Sequence, residues 1–96
     1  MMIRLLAAAL IFSAPSAEAD DHGRARRAVE QGEALPLATL LPDVEARLGA
    51  RVIEVGFDRD DGRYVYEFEL IDPAGRIIEA TVDAETGVIR EVEVDD

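Results

Sequence analysis

The sequence predicts an α+β domain: two N-terminal helices packed on one face of a four-stranded antiparallel meander sheet. Two observations carry that expectation. Apolar residues recur every three to four positions as far as Leu48, and every second position from Arg51 onward. The alternating runs are separated by short turns rich in Asp, Gly and Pro, which suit hairpins and leave no room for crossover helices.

Ahead of this pattern the chain reads as a leader. Arg4 gives a positive start, Leu5 to Phe12 is an apolar run, and Ala17, Glu18 and Ala19 form a small-x-small cleavage pattern. Residues 1–19 are therefore expected to be a signal peptide, 20–36 an N-terminal helix and connector, and 37–96 the αββββ domain. The apolar run is far too short to span a bilayer, and no later stretch is longer. Periplasmic or secreted localisation follows, without a transmembrane span in the mature form. A domain this small commands only about 3 to 5 kcal/mol of net stability. With no cysteine in the chain, packing and hydrogen bonds must supply all of it.

Within the first helix, Asp20 to Gln31, Ala25, Ala28 and Val29 mark the buried side and Gly32 ends the run. Arg24, Arg26 and Arg27 are expected on its exposed face as the one basic cluster. The second helix carries a stripe of Leu37, Leu40, Leu41, Val44 and Leu48, and Gly49 closes it. Pro42 either delays its start to near Thr39 or kinks it. Asp43 stands four residues before Arg47, the favourable order for an intrahelical pair.

Strand alternation then sorts the side chains. Ile53, Val55 and Phe57, followed by Tyr64, Tyr66, Phe68 and Leu70, and then Ile78, Ala80 and Val82, are expected to face the helices. Val65, Glu67, Glu69 and Glu79 fall on the other face. In the last strand Val88, Val92 and Val94 oppose Ile89, Glu91 and Glu93, an arrangement that puts Arg90 on the apolar side unless it marks a bulge or the sheet's exposed end. The turns are Asp60-Asp61-Gly62, Asp72 to Gly75, and Ala84 to Gly87. Asp58, Asp60, Asp61 and Gly62 have the glycine one position early for a calcium loop, and strands flank them, so a hairpin is expected.

The runs Tyr66-Glu67-Phe68-Glu69-Leu70, Asp72-Pro73-Ala74-Gly75-Arg76 and Val82-Asp83-Ala84-Glu85-Thr86-Gly87-Val88-Ile89 together resemble the PepSY domain family. The resemblance covers roughly Leu37 to Val94, and Arg90 and the acidic outer face depart from the family's pattern. It implies a module found in propeptides of thermolysin-type metallopeptidases and in small secreted or envelope proteins, one that binds or restrains peptidases outside the cytoplasm. Its recurrent residues here are Tyr66, Gly75, Asp83, Thr86 and Gly87. Each also has a structural reading: Tyr66 as core, and Asp83, Thr86 and Gly87 as turn-makers that accept backbone N–H groups or supply a left-handed exit.

Composition narrows the function classes. Formal net charge is −11, and all ten basic residues are arginine, so a nucleic-acid partner is disfavoured. Beyond the leader there is no Ser, Cys or Lys, and His22 is the lone imidazole, so no Ser/His or Cys/His pair can be assembled. Carboxylates are numerous, but alternation places Glu67, Glu69, Glu79, Glu91 and Glu93 on a wet face that does not tune a pKa. A non-enzymatic binding module without a cofactor is expected. It would hold a protein partner, a peptidase by the resemblance, through an exposed strand edge, that acidic face, or Arg24, Arg26 and Arg27. The alternative is a small envelope metal-binding or sensing protein, with cations on the acidic face or Cu(II) or Ni(II) at the mature terminus. Cleavage after Ala19 would leave Asp20, Asp21 and His22, whose amine, two amide nitrogens and third-position imidazole can enclose such an ion in a square plane.

Overall fold

A computed structural model of the chain describes residues 17–95. Residues 1–16, most of the expected leader, lie outside the described residues. The order is α1 (Ala17–Glu30), α2 (Leu37–Leu48), β1 (Arg51–Asp60), β2 (Arg63–Ile71), β3 (Ile77–Asp83) and β4 (Ile89–Asp95). The expected cleavage point after Ala19 falls inside the first turn of α1. Strand order in the sheet is β1-β2-β3-β4, and every neighbouring pair is antiparallel. This is the expected meander.

The helical stripes bury as the spacing requires. Ala28 from α1 and Leu40 and Val44 from α2 pack with Phe57, Tyr66, Phe68, Leu70, Ile78, Ala80 and Val82 in one core on the inner face of the sheet. Pro42 neither delays nor interrupts α2, which begins after Pro36 and runs through to the left-handed Gly49. The backbone bond that Pro42 cannot make is directed at Ala38, and both residues are exposed, so the freed carbonyl is open to solvent rather than buried unpaired. Asp43 and Arg47 pair at 3.4 Å as expected.

The turns explain the hairpin register. Asp61 and Gly62 have φ of 54° and 79° between the paired residues Asp60 and Arg63. Two consecutive positive-φ residues form the type I′ turn, whose twist matches the strands on either side. Asp72 organises the β2–β3 turn: its carboxylate accepts the N–H groups of Ala74 and Arg76 and pairs with the Arg76 guanidinium at 2.8 Å.

Two single-residue insertions overturn the expected facing of side chains. The β1–β2 register slips between Val52 and Glu54, so Val52 turns inward and Ile53 is left 49 % exposed. In β4, Ile89 pairs with Val82 while Glu91 pairs with Thr81, which makes Arg90 the bulged residue. Ile89 therefore joins Val92 and Val94 on the inner side, and Val88 is exposed. A one-residue slip exchanges the two faces of a strand beyond it. The outer face also departs from strict alternation at Val65, which is buried between Asp58 and Asp83 in its cross-strand row.

The segment between the helices is fastened at Leu35. Its N–H donates to the Ala84 carbonyl at 2.7 Å, and its carbonyl accepts from the Tyr66 hydroxyl at 2.9 Å. Burial raises the Tyr66 pKa, which keeps the hydroxyl a donor at all ordinary pH. Replacing Tyr66 with Phe removes that donor and leaves a part-buried carbonyl unpaired. The expected loss is about 1–2 kcal/mol, measured by urea unfolding, with the helical circular dichroism signal preserved.

Candidate interaction surface

The two edges of the sheet are treated differently by the rest of the chain. At β1, helix side chains take backbone groups that would otherwise lie open. The Val52 N–H donates to Glu45 Oε2 at 2.9 Å, the Phe57 N–H donates to Asp21 Oδ2 at 3.3 Å, and the Phe57 carbonyl accepts from Arg24. Asp21 and Arg24 also pair with each other at 3.5 Å. Together they offer Phe57 an acceptor and a donor side by side, as a neighbouring strand would. The sequence places Arg24 on an exposed basic face; in the structure it is only half-exposed and engages the Phe57 carbonyl and Asp21. It sits over the Phe57 ring, 5.7 Å from the centroid, while Arg26 and Arg27 remain exposed.

At β4 the edge is open. Among the described residues, no side chain bonds to the backbone of Ile89–Asp95, and Val92 and Val94 are 43 % and 46 % exposed on the inner side. The helices cover the sheet from the β1 side and stop short of this strand.

The outer face assembles the five predicted glutamates and adds a sixth. Glu54 pairs with Glu69, Glu69 with Glu79, and Glu79 with Glu93, a row of four carboxylates running straight across the sheet. A second row, Gly56, Glu67, Thr81 and Glu91, lies beside it. Burial against the sheet raises the Glu67 pKa, helped by Asp58, Asp21, Asp60 and Glu79. Like charges placed directly opposite each other repel, and the arrangement costs stability. Alternation with Val55 and Phe57 already sets Glu54 on the outer face; its place opposite Glu69 follows from the β1–β2 register.

Of the family-motif residues, Asp83, Thr86 and Gly87 shape the β3–β4 turn. Asp83 Oδ1 accepts the N–H groups of Glu85 at 2.9 Å and Thr86 at 3.1 Å, while Oδ2 accepts from Arg63 Nε at 2.7 Å. Thr86 Oγ1 accepts the Val88 N–H at 3.2 Å. Gly87 has a φ of 81°, and a side chain there would meet Leu40 Cδ2 at 3.2 Å. Gly75 likewise has positive φ in the β2–β3 turn. Arg63 joins this cluster because the β2–β3 register pairs Asp83 with Val65, two residues along the same face of β2. It also contacts Glu85 at 3.2 Å.

The proposed terminal metal set is only partly gathered into this picture. His22 is exposed on α1, and Asp21 is engaged by Phe57 and Arg24. Among the described residues, no three His, Cys, Asp or Glu side chains are grouped as a metal centre.

Against known proteins, the family model described as "Peptidase propeptide and YPEB domain", or PepSY, matches residues 33–93. The chain belongs to the PepSY family. Modules of this family are linked to peptidase propeptide and inhibitor-like roles, are not catalytic, and occur typically in extracytoplasmic proteins. The search of curated proteins and the search of solved structures returned no match. No helix among the described residues is long and apolar enough to cross a membrane.

Two outcomes test these electrostatics. The Arg63 hydrogen bond and the two turn N–H groups lower the Asp83 pKa from 3.8 to about 2. A depressed carboxyl pKa stabilises the fold above the unfolded value, and that contribution is lost as pH falls from 3.8 through about 2. Asp83→Asn should therefore cost roughly 1–2 kcal/mol at neutral pH and flatten the acid limb of a stability-against-pH curve. Glu79→Arg should act in the opposite direction. It turns two like-charge pairs into attractive ones, raises stability by about 0.5–1 kcal/mol, and reduces the stabilisation the native protein gains from added salt.

Proposed function

We propose that the chain is an exported, non-enzymatic binding module that restrains an extracytoplasmic peptidase of the thermolysin type. The observation that supports this reading is the asymmetry of the sheet: among the described residues, helix side chains take backbone groups of Val52 and Phe57 at the β1 edge and none takes those of β4, in a family of propeptide and inhibitor-type modules. An open edge beside uncovered valines gives an extended segment of a partner both backbone groups and apolar surface. The acidic outer face adds steering toward a basic partner surface.

Purified secreted chain, titrated into a thermolysin-type metallopeptidase cleaving a chromogenic peptide, should give saturable inhibition that weakens as ionic strength rises. Unchanged turnover at chain concentrations up to about 100 μM, with no complex on a sizing column, would exclude the role at any affinity tighter than about −5.5 kcal/mol. The same preparation tests export. Its intact mass should correspond to a chain beginning at Asp20, and a retained Met1 would contradict it.

A further inference from the structure

We infer that β4 binds an extended polypeptide segment in which basic and apolar residues alternate, pairing through the outward-facing backbone of Val92 and Val94. This deepens the peptidase reading and rests on it for the identity of the protein that carries the segment.

The phase comes from the register. Because the N–H and C=O of Phe57 bond to α1 side chains, Phe57 and Tyr66 are a pair that does not exchange ladder bonds. Antiparallel strands alternate such pairs with bonded ones. Carried through Tyr66 with Val82 and Phe68 with Ala80, the alternation directs the backbone of Glu91 and Glu93 to β3 and that of Val92 and Val94 to the free edge. The Arg90 bulge ends this ladder on one side. What remains, Glu91 to Asp95, is roughly 17 Å of edge.

The same register specifies the occupant's side chains. A residue opposite Val92 or Val94 lies on the inner side, where those valines extend the apolar surface past Ala80 and Ile78, their partners in β3. A residue opposite Glu91, Glu93 or Asp95 lies on the outer side, at the end of the glutamate rows. Apolar side chains suit the first positions and Arg or Lys the second, whichever direction the added strand runs. A second copy of β4 is the alternative occupant, but its carboxylates would face these carboxylates across the new pair, and like charges directly opposite destabilise a strand pair.

The test uses the secreted chain and labelled peptides followed by fluorescence anisotropy. An alternating Arg-Val hexapeptide should bind, and its Glu-Val counterpart should bind at least tenfold more weakly. N-methylation of every second amide in the Arg-Val peptide, in the phase that faces β4, should abolish binding. Val92→Pro removes an outward N–H without breaking a bond to β3 and should weaken binding at least tenfold. The double variant Glu91→Lys and Glu93→Lys should reverse the preference toward the Glu-Val peptide, with circular dichroism used to check that both variants fold. Equal binding of the N-methylated peptide would overturn the proposal, since charge alone would then account for attraction to the acidic face. Absence of peptide binding, or dimerisation of the chain that Val92→Pro abolishes, would overturn it as well. If Val92→Pro still restrains the metallopeptidase fully, the edge pairing falls and the peptidase role stands. If the peptides pair as described and no peptidase is restrained, the peptidase role falls and the edge stands.

Discussion

The fold depends on the fastening of Leu35. A chain with so little core cannot hold two helices on a sheet by apolar contact alone, and Leu35 supplies fixed points that are not hydrophobic. Its two backbone groups reach Ala84 at the start of the β3–β4 turn and Tyr66 in β2. The Ala84 N–H in turn donates to the Tyr64 carbonyl at 2.9 Å, so the connector, β2 and the turn form one hydrogen-bonded chain. Gly87 completes the joint by leaving room for Leu40 and Leu35. The recurrent turn residues of the family thereby acquire a purpose beyond the hairpin: they shape the seat into which the helical layer locks. Asp83 holds that seat's backbone, and Arg63 holds Asp83.

With the helical layer placed by this joint, the difference between the two edges follows geometrically. The helices reach β1, where Glu45, Asp21 and Arg24 close backbone groups, and they leave β4 uncovered. An edge strand normally needs protection against pairing with copies of itself. At β1 the protection is structural. At β4 it is electrostatic, from Glu91, Glu93 and Asp95 with the bulge at Arg90. Electrostatic protection is selective where structural protection is not, because it repels acidic strands and attracts basic ones.

Much of the fold was legible in the sequence because the switch of apolar period near Arg51 is a property of neighbouring residues. All six elements, the Pro-Ala-Gly and Asp-Gly turns, and the roles of Asp83, Thr86 and Gly87 follow from such local information. The two bulges were not legible in the same way. Inserting Ile53 or Arg90 changes nothing in the local composition, yet it reverses the facing of the residues before it relative to those after it, so alternation carried back through the bulge puts Ile53 and Val88 inward and Ile89 outward. Arg90 on the apolar side was the one visible sign of the second. The engagement of Arg24 is invisible to local spacing because its partner, the Phe57 carbonyl, lies 33 positions away. Which edge stays open is likewise a relation among elements, beyond the reach of any window of sequence.

The glutamate row shows how the acidic composition is spent. Net charge of −11 would keep the chain soluble however the carboxylates were scattered, and scattering them would avoid the repulsion. Instead Glu54, Glu69, Glu79 and Glu93 stand directly opposite one another across all four strands, and burial and neighbouring carboxylates together hold Glu67 above the ordinary carboxylate range. A raised carboxyl pKa means that ionisation opposes the fold, a cost present at neutral pH and relieved as pH falls through the raised value toward the unfolded one. Solubility does not require that cost. A cationic strand laid along β4 would set positive charge beside Glu91 and Glu93, the ends of the rows that hold Glu67 and Glu79, and so place attraction where the native face offers only like charge.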